Sequence, residues 1–448
     1  MKIDFWTSTE YGGFMAGLIR ELQDRGFDAR QRFQISEDSY RAARSTPARL
    51  WLRFRQYGIY PLQLCTRLLL QRLLRRQEKA GSPGSEFCVV STNTFFAPLL
   101  ASYFHPHVVH LVYDLFPEAL IHSGKWREGS LKVKYVRWIT RKTLQRAHLN
   151  VFLGERLHTY VESIHGDCGA SVIIPVGADQ TLFPSPPGER TQPERDSAEK
   201  GAGRQVVEPS GPNLQTSRHA QVHLPPPAIL YCGNFGNMHD SQTLFDYWKS
   251  RSAQLQQASP PRSAQLQQAS PPEASPSRNH AVHWHFHCSG PKRAALAELL
   301  AQLPPPVRET ITLGGGLTQP DWINVMQSAE VALVTMTPGS ETVVMPSKTY
   351  SAMMAGQAIL AIAPEASDLV DLIRVADCGW SVAPGDVEGL NATLETITSD
   401  PAAVLEKRTR AYRYAHAHLG QDALAADWIR ALRPIGTTET IHRPPRTP

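Results

Sequence analysis

Ser347 and Lys348 stand near the head of the segment VVMPSKTYSAMMAGQAILAIAPEASDLVDLIRVADCGWSVAPGD, residues 343–386. The segment reads as loop, helix, apolar strand, helix and strand, closing on a Pro-Gly-Asp turn that opens another helix. Pro346 and Ser347 fall where the first helix starts, and Lys348 falls in its first turn. A lysine there opposes the positive end of the helix dipole unless an anion lies close. Cation and helix start together suit a diphosphate; the competing reading is a lysine solvated on the surface. Glu341, just upstream, adds a carboxylate.

A second constellation follows an apolar run. Tyr231-Cys-Gly-Asn-Phe-Gly236 leads toward a helix beginning near His239 or Asp240. Gly233 and Gly236, flanking Asn234, would let backbone amides approach a phosphate. An ordinary strand–helix turn reads the same way. The spacing is not GxGxxG, and that pattern occurs nowhere in the chain, which argues against a nicotinamide or flavin enzyme. Asp114 ends the run HVVHLVYD, where it either faces a cleft at a strand end or caps the next helix. In HWHFHC, His283, His285 and His287 share one strand face opposite Trp284 and Phe286. Three such histidines can ligate zinc, yet no fourth ligand accompanies them, and a half-buried strand is the favoured reading. The chain also lacks Asp-x-Asp, the common handle for a metal-bound nucleotide.

These residues need strand ends to hold them. KIDFW, EFCVVST, HVVHLVYD, NVFL and SVIIPVG read as strands separated by helices, the first with apolar positions Phe14, Met15, Leu18, Ile19 and Leu22 before Gly26. Such alternation implies an α/β fold with parallel sheets covered on both faces. A first domain therefore spans 1–183, and residues 184–227, rich in Pro, Ser, Gly and charge, form a linker. The alternation resumes over 228–410, and 411–448 holds the end of the last helix and a tail. An insertion at 251–279 contains RSAQLQQASPP twice in tandem, which reads as a duplication in a tolerant surface loop rather than a solenoid.

Charge is unevenly spread. Arg41 to Lys79 holds ten basic residues against Glu78 alone, and Lys125 to Arg146 eight against Glu128 alone. The front half therefore favours anionic partners: phosphates, lipid head groups or acidic glycans. RLWLRFRQYGIYPLQLCTRLLLQRLLRR interleaves aromatics and leucines with arginines. It reads either as a basic amphipathic helix resting on an anionic bilayer, at about 1 kcal/mol per cation near the surface, or as a domain helix with its arginines in water. No nucleic-acid module is present, so nucleic acid is not an expected partner. The six cysteines show no CxxC spacing, and MKIDFW lacks the apolar run of a signal peptide. The expectation is a cytoplasmic protein, soluble or peripheral on the inner face of the plasma membrane.

Seven stretches in order resemble the GT-B glycosyltransferases, family 4, in the branch that builds bacterial exopolysaccharide and lipid-linked sugars. They are YGGFMAGLIRELQDRGFDA, VYDLFPEALIHSG, VIIPVGADQTLF, LYCGNFGNMHD, CSGPKRAALAELL, MPSKTYSAMMAGQAILAIAPEASDLVDLI and GWSVAPGDVEGL. The resemblance implies two Rossmann-like domains facing across a cleft, with a nucleotide sugar held mainly by the second. By position, Gly233, Asn234 and Gly236 would lie against the donor, Gly290 and Pro291 near the base, and Pro346, Ser347 and Lys348 at the phosphates. Gly12 and Gly13 would close on the donor from the first domain, with Glu118 on the acceptor side. Asp114, Lys348 and Glu341 are the implied catalytic set. Relatives often carry two glutamates eight positions apart; the second position falls here at Ser351. No cofactor or metal is implied.

The resulting expectation is transfer of a sugar, most simply from a UDP sugar, to a polysaccharide or lipid-linked acceptor, with retention of configuration. Two alternatives stay open: a non-hydrolysing sugar-nucleotide epimerase of the same architecture, and a degenerate relative that binds a nucleotide or glycan without turnover.

Overall fold

Strands β1 (Lys2–Thr9), β2 (Asp28–Ile35), β3 (Glu86–Ser91), β4 (Val108–Val112), β5 (Leu149–Phe152) and β6 (Ser171–Ile173) form one sheet, ordered β2-β1-β3-β4-β5-β6. A second holds β7 (Ala228–Asn234), β8 (His283–Ser289), β9 (Ile311–Gly314), β10 (Val331–Thr335), β11 (Ala358–Ile362) and β12 (Gly379–Val382), ordered β12-β11-β10-β7-β8-β9. The computed structural model describes residues 1–10, 13–36, 38, 39, 43, 45–75, 86–188, 227–258 and 282–433. Gly12, residues 189–226 of the linker, residues 259–281 with the rest of the insertion, and 434–448 lie outside the described residues.

Every strand pairing is parallel. Helices therefore cover both faces, and the central strands are continuously buried: every residue of β4, β10 and β11 is shielded from solvent. One polar side chain in β4 is satisfied internally. His110 Nδ1 donates to Asn150 Oδ1 at 2.9 Å, and Asn150 Nδ2 donates to the carbonyls of Leu144 and Cys168. Burial pushes the His110 pKa down to about 4.

The order in which strands are added across each sheet reverses once, between β1 and β3 in the first and between β7 and β10 in the second. Connections leave on opposite faces at such a point, which opens a crevice beyond the strand carboxyl ends. Two Rossmann-like domains thus present their crevices to one cleft, the GT-B architecture.

Two stretches of chain join the domains side by side. Ala178 N–H donates to Leu419 O at 3.0 Å, and a Cβ on Gly177 would collide with Leu419 and Leu424. Gly420 breaks the final helical run into Pro401–His418 and Gln421–Ala431. The second piece returns to the first domain, where Leu424, Ala425 and Trp428 join the core and Trp428 meets Phe5 edge-on at 5.5 Å. On the far side Arg156 pairs with Asp371 at 2.7 Å, and its backbone N–H donates to Asp368 Oδ1 at 3.3 Å.

The start of the tandem repeat is not loop. Residues 251–258 continue the helix Gln242–Ala258, because Ala, Gln and Leu favour helix and no proline intervenes before Pro260. That helix also begins later than the sequence implies, since Asp240 is its cap: its carboxylate accepts from Gln242 N and Thr243 N.

Candidate functional site

The cleft between the two sheets has a volume of about 1470 Å³. This exceeds the roughly 300–1,000 Å³ of an ordinary small-molecule pocket.

Its second-domain wall is built at the reversal point. The penultimate residue of β7 is Gly233, whose φ of +129° is open to glycine and strained for other residues. Lys348, first residue of the helix Lys348–Met354, reaches across so that Nζ donates to the Tyr231 hydroxyl at 2.5 Å. The same ammonium lies 3.9 Å from the Tyr231 ring centroid. The Tyr231 hydroxyl in turn donates to Asn234 O at 2.8 Å, tying lysine and loop together. Burial lowers the Lys348 pKa to about 7; an anion beside it would restore the charge.

Gly290 and Pro291 support this loop from behind and do not line the cleft. Phe235 N–H donates to Ser289 O at 2.7 Å and Lys292 N–H to Phe235 O at 3.1 Å. Gly290, at φ +102°, admits no Cβ without collision with Asn234 and Phe235. Gly236 is likewise set back, its carbonyl accepting from His239 N–H. Pro346, Ser347 and Ser351 line the cleft with Lys348, whereas Glu341 lies in a turn beside it. Glu341 Oε2 is buried without a hydrogen-bond partner among the described residues, a carboxylate oxygen lacking a donor.

The facing wall comes from the ends of β1, β3 and β4. Thr9, Glu10, Gly13, Asn93 and Asp114 line it. Asp114 is held by its N–H, which donates to Thr92 Oγ1 at 3.2 Å. The surrounding walls raise its carboxyl above the ordinary range by desolvation while leaving it open to the cleft. Gly13 adopts φ +48° at the head of the helix Phe14–Asp24. Glu118 is corrected: it is buried away from the cleft, with Arg137 Nε donating to its Oε1 at 2.7 Å. It begins a short helix whose first turn faces helix Leu131–Arg146.

Trp284 and Phe286 of β8 enter the core, and His285 is buried with its pKa pushed down to about 4. Among the described residues, no group of three or more His, Cys, Asp or Glu side chains is placed to hold a metal ion.

Several lining residues carry no motif. Gln56 reaches the cleft from a π-helical turn, Arg55–Ile59, inside the arginine-rich helix, and its Nε2 donates to Asn93 O at 2.8 Å. His239 lines the opposite wall and contacts the end of β10. Its sequence neighbours mark only a helix start; the side-by-side pairing of β7 with β10 brings it to the cleft.

No protein-family model and no curated protein sequence matches this chain. Solved structures share its fold across nearly their whole length. Sucrose-phosphate synthase from Thermosynechococcus elongatus superposes with a TM-score of 0.60 at 14% identity, covering 96% of this chain and 98% of that one. Anabaena HepE in complex with UDP gives 0.58 at 11% identity, covering 96% and 99%. WaaG, a glycosyltransferase involved in lipopolysaccharide biosynthesis, gives 0.54 at 13% identity, covering 97% and 100%. At these identities the likeness establishes the architecture: this chain has the two-domain GT-B fold.

Proposed function

We propose that this protein is a glycosyltransferase that moves a sugar from a nucleotide diphosphate, a UDP sugar, onto a polysaccharide or lipid-linked acceptor, with retention of configuration. One observation carries the reading: Lys348 and the Gly233 loop meet on Tyr231 at the reversal point of the second sheet, facing Asp114 across a shared cleft. Lys348 meets the charge that develops on the leaving diphosphate, backbone at Gly233 and Asn234 contacts the phosphates, and Ser347 adds a hydroxyl. Gly13 closes from the first domain, and Asp114 faces the acceptor. The chemistry needs no metal when a lysine carries this role. Structures with the same fold hold UDP or UDP-glucose, in HepE, which supports the donor class.

A membrane-borne acceptor fits the outer layer of the first domain. Helices Tyr60–Arg75, Ala97–Phe104 and Leu131–Arg146 lie side by side over one face of the first sheet. They and the preceding helix Thr46–Phe54 expose Trp51, Phe54, Leu62, Leu70, Leu131 and Trp138 among arginines and lysines. Apolar side chains beside cations match an anionic bilayer surface. Among the described residues no helix is long and apolar enough to cross a membrane.

Incubation with radiolabelled UDP-, GDP- and dTDP-sugars plus bacterial lipid extract tests the proposal. Label moving from a UDP sugar into lipid or polymer is the expected result. An isomerised donor without transfer would make the protein an epimerase, and binding without turnover would make it a degenerate relative that only binds.

A further inference from the structure

His239 is fixed by both its backbone and its ring. Its carbonyl accepts from Lys292 Nζ, and its Nδ1 lies 2.8 Å from the carbonyl of Thr335, the last residue of β10. A carbonyl can only accept, so Nδ1 carries the ring proton and Nε2 is left with its lone pair. A second proton is opposed by burial, then by Lys348 and Lys292, which together push the pKa down to about 4 despite the Thr335 bond. The ring stands perpendicular to Tyr231 with centroids 5.9 Å apart, on the same aromatic side chain that carries Lys348. It therefore lines the cleft next to the site assigned to the diphosphate.

An acceptor nitrogen cannot serve a phosphate oxygen, which has no hydrogen to give. It requires a hydroxyl or an N–H. We infer that His239 is a specificity-determining residue that reads one hydroxyl of the donor's sugar through Nε2, distinguishing the sugar from its deoxy counterpart. The inference rests on the nucleotide-sugar reading above. Its chemistry favours strong discrimination, because a site built to accept from a hydroxyl is left with an unpaired polar atom when that hydroxyl is missing.

The test uses the full chain, UDP, the UDP sugar selected by the transfer assay, and that donor's monodeoxy analogues. His239→Asn keeps an amide that can donate to Thr335 O and removes the Nε2 acceptor; His239→Phe removes both. Both variants should bind UDP within about twofold of wild type. Each should lose about ten- to a hundredfold in kcat/KM for the sugar donor. One monodeoxy donor should cost wild type a similar factor and cost the variants nothing further. Rescue of kcat/KM by His239→Asn would assign the ring a purely structural role and overturn the inference. Equal weakening of UDP and UDP-sugar binding, or deoxy donors penalised equally in variants and wild type, would overturn it too. Absence of UDP binding and transfer in wild type removes the broader proposal as well, which separates the two failures.

Discussion

Replacing Lys348 by Met keeps the length and apolar body of the side chain while removing its charge. Lys348 binds an anion as the ammonium, but burial in the free protein holds its pKa at about 7. A bound diphosphate raises that pKa again, so binding takes up a proton wherever the free lysine is neutral. The sign follows directly. UDP affinity is flat below about pH 7 and weakens about tenfold per pH unit above it, until the pKa of the complex is reached. Two neighbouring groups titrate outside this window: His239 is pushed down to about 4 and Cys232 up to about 11. Starting above about pH 6.5 also avoids the second ionisation of the terminal phosphate, near 6. Isothermal titration calorimetry in two buffers of different ionisation enthalpy should report uptake of nearly one proton at about pH 8. At pH 7, Lys348→Met should weaken UDP binding roughly ten- to a hundredfold, the 1.5–3 kcal/mol of a hydrogen bond to a charged group. Its affinity should no longer change across the window. A wild-type affinity that is flat from pH 7 to about 8.5, or a Met variant with the same slope, would refute the assignment of Lys348 to the anion.

Three further outcomes follow from the packing. Asp368 has its carboxyl pKa raised to about 6 by burial, against an ordinary 3.8, so between these values the folded state keeps a proton the unfolded chain has released. Wild-type stability is lost as pH rises through that window. Asp368→Asn, which can still accept from Arg156 N–H, should gain thermal stability relative to wild type from pH 4 to pH 7; a constant difference in melting temperature counts against this account. Gly290→Ala forces a Cβ toward Asn234 and Phe235 at φ +102°, so UDP affinity should fall with a stability loss of about 1–3 kcal/mol; unaltered binding would detach Gly290 from the donor loop. Trp428→Ala should destabilise the first domain by about 3–5 kcal/mol in urea unfolding, whereas a small effect would show that the returning helix is only loosely docked.

The parallel α/β class was written in the strands themselves. AILAI is apolar at every position and VVHLV at every position but His110, a pattern that a sheet covered on both faces requires. Gly233, Ser347 and Lys348 were also visible, because a glycine at a strand end and a lysine at a helix start are locally unusual. The resemblance set Glu118 on the acceptor side, but its burial against Arg137 depends on a helix that begins thirteen residues later. Local pattern gave no reason to single out His239 or Gln56. His239 gains its position from Thr335, 96 residues away, and Gln56 from Asn93, 37 residues away. The turn at Gly420 and the contact of Trp428 with Phe5 commit the helix Gln421–Ala431 to the first domain. Sequence thus determined which segments become strands and helices, because that depends on neighbours within a few residues. The order of strands in each sheet determined which side chains share the cleft, because that juxtaposes atoms distant along the chain.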